Sequence, residues 1–360
     1  MQKRIGKVDK RILIIFAILT IIFFFLEVKS IHNVKTRNYE NKLKAAQICQ
    51  EAFRIIKEER LKRGFLIDII NDPNETGLVG VQYSPITQDR TDLSAILTST
   101  NPNFAAVFVE LLGHLKPNDT VAVALDGSYP ALNIALYSAC RVLQLKPIII
   151  SSASSAMWGA NLAEFSWLDM ERVLYENNFF PFKSSAATLG GEDDNGRGFS
   201  PEARALLEKA IKRNNINFLH TENFTTNLEE RMKIYLQSKT VKYFINIGKS
   251  VASVGPVYHR LPSGIIRRKP TKFADDVLIT RMLDQKIPVI NILDINRIAT
   301  KYELPHAPIP LPPIGKGKLY IEKKFSVTLA IVFTVIIIII LFFVIKYDLE
   351  YYLFKKKVNP

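Results

Sequence analysis

The sequence predicts an α/β fold in which a mostly parallel sheet carries helices on both faces, flanked by one transmembrane helix at each end. Three observations predict it. Long apolar runs stand near both ends of the 360-residue chain. Between them, short apolar runs alternate with helix-periodic stretches, the pattern of a helix-covered parallel sheet. The clearest unit is Val121–Leu125, the turn Asp126-Gly127-Ser128-Tyr129-Pro130, a helix, and then Pro147–Ser151, a βαβ unit of ordinary length. This is a Rossmann-like pattern.

The ends come first. Residues 1–11 form a basic tail, and residues 12–28 follow as an apolar segment with no A-x-A-like cleavage site after it. That segment reads as an uncleaved signal anchor. Residues 325–345 form a second apolar run, 21 residues long, or roughly 31 Å as a helix, matching a hydrocarbon core of about 30 Å. Residues 346–360 are a basic C-terminal tail. Positive charge at both tails predicts that both termini are cytoplasmic and the domain between them extracytoplasmic, in a bacterial cytoplasmic membrane. The whole chain carries +14, of which the tails supply +6.

The α/β domain is expected over residues 29–302. Tyr39–Arg63 reads as an amphipathic helix stopped by Gly64. Strands are expected at Leu78–Tyr83, Val121–Leu125, Pro147–Ser151, Ile216–Leu219, Val241–Ile247 and Pro288–Leu293. Helices are expected at Phe104–Leu115, Ala131–Leu145, Trp167–Asn178, Pro201–Arg213, Leu228–Ser238, Phe273–Gln285 and Ile295–Tyr302. Ser200 before Pro201 is a helix-start signal. Residues 303–324, rich in proline, read as a stiff extended spacer before the second anchor. Cys49 and Cys140 fall on apolar helical stripes and read as small core residues.

Ligands of an open parallel sheet bind beyond the carboxyl ends of its strands. The strand-end loops hold Asp126, Gly127, Ser128, Ser151, Ser154, Asn246 and Gly248, small polar residues suited to an anionic ligand, although tight turns need the same residue types. Lys249–Lys272 contains Arg260, Arg267, Arg268 and Lys269 and no acid, a stretch able to grip carboxylates or to be a solvated face. Catalysis has only weak candidates: Ser128 as nucleophile, with His220 and Asp126 beside it. Glu192, Asp193 and Asp194 are weak candidates for a hard cation, against the simpler reading of a solvated loop; the scattered histidines lack zinc spacing. Gly248-Lys249-Ser250 lacks the earlier glycine of a phosphate-binding loop, where Tyr243 stands instead. No G-x-G-x-x-G or G-x-S-x-G occurs, so no nucleotide cofactor is indicated. Nothing in the chain points to nucleic acid.

Six stretches together resemble the poly-γ-glutamate system protein family. They are STNPNFAA (99–106), VAVALDGSYPALN (121–133), SSAMWGAN (154–161), FSWLDMER (165–172), residues 190–200 and PLPPIG (310–315). The resemblance implies a membrane accessory of bacterial poly-γ-glutamate capsule synthesis or export, working beside a ligase and a multispan subunit. It implies no known catalytic residue. The sequence departs from the family at Lys249, where a glycine is expected. Two functions follow as expectations: a component that binds the anionic polymer or its synthase, or an amide hydrolase or transferase acting on γ-glutamyl linkages with Ser128 near its centre.

Overall fold

The computed structural model describes residues 10–347 apart from 239, 257–260, 272 and 274. The chain opens with α1 (Lys10–Lys29), β1 (His32–Lys35) and α2 (Tyr39–Lys62). After a long irregular stretch come β2 (Thr87–Asp89), α3 (Leu93–Ser99), α4 (Phe104–Leu112), β3 (Thr120–Leu125), α5 (Pro130–Val142) and β4 (Lys146–Ser152). Three short strands follow, β5 (Ser155–Ala156), β6 (Asn161–Leu162) and β7 (Phe165–Ser166). Then come α6 (Trp167–Glu176), β8 (Ala186–Thr188), α7 (Pro201–Arg213), β9 (Asn217–Phe218), α8 (Phe224–Leu236) and β10 (Val241–Ile247). The last elements are α9 (Val251–Val254), β11 (Gly264–Ile266), α10 (Leu278–Asp284), β12 (Val289–Ile292), α11 (Ile295–Lys301), β13 (Ile321–Lys324) and α12 (Val327–Lys346).

The chain divides into two units, residues 1–36 with 321–360 and residues 37–320. In the first, α1 and α12 are each 20 residues long, about 30 Å, and apolar enough to cross a membrane. They run antiparallel: β1 pairs antiparallel with β13, Ser326 N–H donates to Ser30 Oγ at 3.1 Å, and Phe23 stacks on Phe333. Of the basic tails, residues 1–9 and 348–360 lie outside the described residues.

The second unit is built on a seven-stranded sheet in the order β11-β12-β10-β3-β4-β8-β9, parallel except for the antiparallel edge strand β11. Every residue of β3 is buried, as a central parallel strand covered on both faces requires. One face is covered by α8, α9 and α10, whose Leu228, Tyr235, Val254 and Met282 pack on Ala122, Ala124, Phe244 and Val289. Alternate residues Val121, Val123, Leu125 and Ile245 point to the other face and are equally buried. That face belongs to α5, because crossovers running in opposite directions along a sheet place their helices on opposite sides. There α5 packs on α2 and α4.

From β3 the chain steps outward through β4, β8 and β9, then returns to β10 on the other flank of β3. The direction of winding therefore reverses between β3 and β10, and the loops at their carboxyl ends diverge to open a crevice.

Several expectations need correction. Leu78–Tyr83 is not a strand. Leu78 and Val79 are apolar because they are buried, and the backbone of Gly80 and Val81 bonds to Trp158 O and the Asn161 side chain instead of to a ladder. β8, in the middle of the sheet, was not expected because Ala186-Ala187-Thr188 has no run of branched residues; nor was the edge strand β11. α8 begins four residues before Leu228, since the Asn223 side chain accepts from Thr226 N–H and caps it there. α10 is shorter than Phe273–Gln285. The domain starts at Arg37, not at residue 29, and the proline-rich stretch to Tyr320 belongs to it rather than forming a free spacer. Asn74 and Asn103 donate to the carbonyls of Pro308 and Pro313, and the buried Tyr320 hydroxyl donates to Asn103 Oδ1 at 2.6 Å. Proline carbonyls keep full acceptor strength, so the domain can hold the segment without any strand pairing.

Candidate functional site

The crevice between β3 and β10 is held by Asp126, which follows β3 and is completely buried. Its carboxylate accepts from Ser128 N–H at 2.8 Å and from Lys249 N–H at 3.1 Å, the latter across the point where winding reverses. Burial pushes the Asp126 carboxyl up to about 6, and the Ser128 hydroxyl together with the two backbone donors opposes that rise. Gly248 makes the approach possible. Its φ is +105°, and a Cβ there would lie 2.3 Å from an Asp126 oxygen. Asp126 and Gly248 together set the backbone from which Lys249 projects.

The opening is lined partly by residues with no signal of their own in the sequence, Gln88, Asp89, Arg90 and Arg197 among them. Lys249 Nζ lies 3.4 Å from Asp89 Oδ2 and donates to Arg90 O at 3.2 Å. On one side of Lys249 is a cavity of about 330 Å³ bounded by Gln88, Asp89, Gly191, Glu192, Arg197 and Phe199. On the other is a cavity of about 640 Å³ bounded by Arg90, Asp92, Tyr129, Met157, Asp294 and Asn296. Lys249 is common to both. Arg197 donates to Glu192 at 3.0 Å and lies 2.8 Å from Asp193. The cleft thus presents cations and carboxylates in opposed pairs. For Gln88, Asp89 and Arg90 the sequence offers only the polar run Thr87–Asp92 between Ile86 and Leu93.

The candidate residues divide among distinct roles. Gly127 N–H donates to Ser154 O, and Ser154 Oγ donates to Gln88 Oε1 at 2.6 Å, which also accepts from Gly191 N–H at 2.9 Å. These two residues therefore shape the cleft wall from behind. Ser151 and Asn246 lie in the interior. Ser151 Oγ meets Ser184 Oγ at 2.7 Å, and Asn246 donates to Asn291 Oδ1 at 2.9 Å and to Gly248 O at 3.0 Å.

Ser128 and His220 are not brought together. Ser128 Oγ is buried and accepts from Ala156 N–H at 3.1 Å. His220 follows β9, three strand spacings or roughly 14 Å from β3. It sits in a separate cavity with Asn195, Arg204 and Glu208.

The three acids of the 190–198 loop do not converge on one point either. Glu192 and Asp193 pair with Arg197, whereas Asp194 is buried and ion-paired with the buried Arg231. Asp194 Oδ1 also accepts from Ser152 and Thr188, each at 3.0 Å. Among the described residues no group of three or more His, Cys, Asp or Glu could hold a metal ion. The loop is therefore pinned, not solvated throughout.

Arg267 and Arg268 are far from the crevice. Because β11 runs antiparallel, Ile266 pairs with Val289 at the start of β12, and the two arginines leave at the sheet edge opposite the cleft. Arg260 and His259 lie outside the described residues.

Compared with protein-family models, curated proteins and solved structures, the chain matches none.

Proposed function

We propose that this chain is a membrane-anchored component of a bacterial poly-γ-glutamate synthesis or export system, and that its cleft binds the amino-terminal end of a γ-glutamyl chain. The pathway rests on the sequence resemblance; the ligand rests on the cleft. In this reading the fold is Rossmann-like, α1 and α12 cross the membrane, both termini are cytoplasmic, and the domain is extracytoplasmic.

The observation that carries the ligand reading is the pairing of opposite charges around Lys249. Asp89 faces Lys249, and Glu192 faces Arg197. A polyanion alone would be repelled by the carboxylates as much as drawn by the cations. A γ-linked chain has a free α-carboxylate on every residue, but an ammonium only at its amino end. Near neutral pH that end is a zwitterion, since an α-carboxyl titrates near 3.5 and an α-amine near 8. It matches a lining of both signs, Lys249 and Arg197 taking the carboxylate and Asp89 or Glu192 the ammonium. Binding is favoured over hydrolysis at Ser128 because that hydroxyl, held between Ala156 N–H and the equally buried Asp126 carboxylate, lines neither cavity of the cleft.

The test is calorimetric titration of the full-length protein in detergent with short γ-linked glutamate oligomers, either free or N-acetylated at the amino end. The free form is expected to bind about tenfold more tightly, and Lys249→Ala to remove about that factor, the equivalent of one charge-assisted hydrogen bond. Equal binding of the two oligomers would remove the chain-end reading. Binding of neither would remove the polymer from this cleft altogether.

A further inference from the structure

The sheet has a second charged surface, on the edge away from the cleft. Lys116 lies in the connection entering β3, Lys146 is the first residue of β4, Lys242 the second of β10, and Lys286 stands three residues before β12. Arg267 and Arg268 leave β11 at the same edge, because that strand runs backward against β12. All six are exposed, and none makes an ion pair among the described residues. The carboxylates in the same connections are Asp119, Asp275, Asp276 and Asp284; Asp276 pairs with Arg281, and Asp284 lies 3.7 Å from Lys269. The cleft edge, by contrast, is mixed, setting Asp89, Asp92, Glu192 and Asp294 against Arg90, Arg197 and Lys249. The two edges therefore differ in kind, one of mixed charge and one predominantly cationic, and the cationic one is spread across the central strands of the sheet.

The domain's two chain ends meet each other, and the first of them reaches this edge. The Asn38 side chain donates to Gly113 O at 3.0 Å, in the connection entering β3, and the Tyr39 and Tyr320 rings are 6.2 Å apart. Arg37 follows the end of α1 by eight residues, and α12 begins seven residues after Tyr320. Eight residues reach at most about 29 Å when fully extended.

We infer that this cationic edge docks on the phosphate headgroups of an anionic lipid surface, an inference that rests on the reading of α1 and α12 as membrane spans. Charge complementarity selects the partner. Basic residues near an anionic bilayer each add a favourable increment that decays within a Debye length, so six on one edge act together only if the surface facing them is broad. A leaflet is such a surface, and the short tethers keep one within reach. A soluble anion would engage one or two of these side chains, because they belong to separate connections.

Hydrogen exchange of the full-length protein in nanodiscs tests the inference, comparing phosphatidylcholine alone with a mixture containing phosphatidylglycerol. With the anionic lipid, the connections entering β3 and β12 are expected to exchange on the order of tenfold more slowly, and high salt should abolish the difference. Arg267→Glu with Arg268→Glu should remove the protection while leaving the melting temperature unchanged; Lys116→Gln with Lys286→Gln, which alters charge at other connections, should reduce it. Identical exchange in the two lipids would overturn the inference while leaving the membrane spans intact. Protection produced by soluble poly-γ-glutamate in neutral nanodiscs, and not by anionic lipid, would assign the edge to the polymer and overturn it too. Release of the chain from membranes by alkaline carbonate would overturn the spans themselves and this inference with them.

Discussion

Gly248 and Glu171 show how single residues set the limits of this domain. At Gly248, alanine would force a side chain into a φ of +105° and drive its Cβ against the Asp126 carboxylate. Strain and clash together cost about 2–4 kcal/mol, which in a domain this large lowers the melting temperature by roughly 10 °C. Thermal melting of Gly248→Ala checks this, and binding in the cleft should weaken with it because Lys249 loses its backbone support. Glu171 is buried and makes no ion pair among the described residues, although the Lys183 charge is near it. It accepts from Tyr137 and from Ser184 at 2.9 Å, while its second oxygen has no partner among the described residues. Burial pushes its carboxyl above the ordinary value, and the hydrogen bonds only partly oppose this. A raised folded pKa means that stability from the protonated form is complete below the ordinary glutamate range and is lost as pH climbs to the folded value. Glu171→Gln removes that loss. Its stability relative to the parent should grow with pH above about 4.5, by at most about 1.4 kcal/mol per pH unit, and level off once the folded carboxyl has ionised. Denaturant melts from pH 4.5 to 8 would show this; parallel curves would mean that the Glu171 site is wetter than its burial implies.

At the scale of elements, the loop from Gly190 to Gly198 depends on a helix distant from it in sequence. α8 supplies Arg231, which is oriented by Asn227 at 3.0 Å and pairs with Asp194 inside the domain. Removing the arginine leaves a buried carboxylate uncompensated, at a cost of about 3–5 kcal/mol. Arg231→Met is therefore expected to destabilise the domain and expose the loop to limited proteolysis. Adding Asp194→Asn should restore much of the loss, because the charge left behind is then gone. A double variant no more stable than the single one would show that the pair acts mainly through packing. The three acids were legible in the sequence, and their separation was not. Neighbouring residues in a tight turn point in different directions, so Asp194 turns inward to Arg231 while Glu192 and Asp193 stay with Arg197.

For the whole molecule, the sequence alone determined whatever depends on local periodicity and length. The two membrane-length helices, the alternation of β3, α5 and β4, the Ser200 cap and the full span of β10 follow from 3.6-residue and short apolar patterns that act within a few turns. The element that broke this logic was Leu78–Tyr83, whose apolar residues serve burial without a strand partner. What only the tertiary structure decided was adjacency. β8 joins the sheet with three small residues because β4 and β9 flank it. Strand order reverses at β3 and β10, and that reversal brings Asp126 under Lys249, with Asp89 contributed from a segment more than 150 residues earlier in the chain. The antiparallel turn of β11 carries Arg267 and Arg268 to the sheet edge opposite the strand-end loops. Each of these depends on which strands lie side by side, a choice made by burial of both sheet faces at once. Local spacing carries no record of that choice, so the polar strand-end residues and the end of the sheet they mark were visible in the sequence, while the charged lining drawn from Asp89, Arg90 and Arg197 was not.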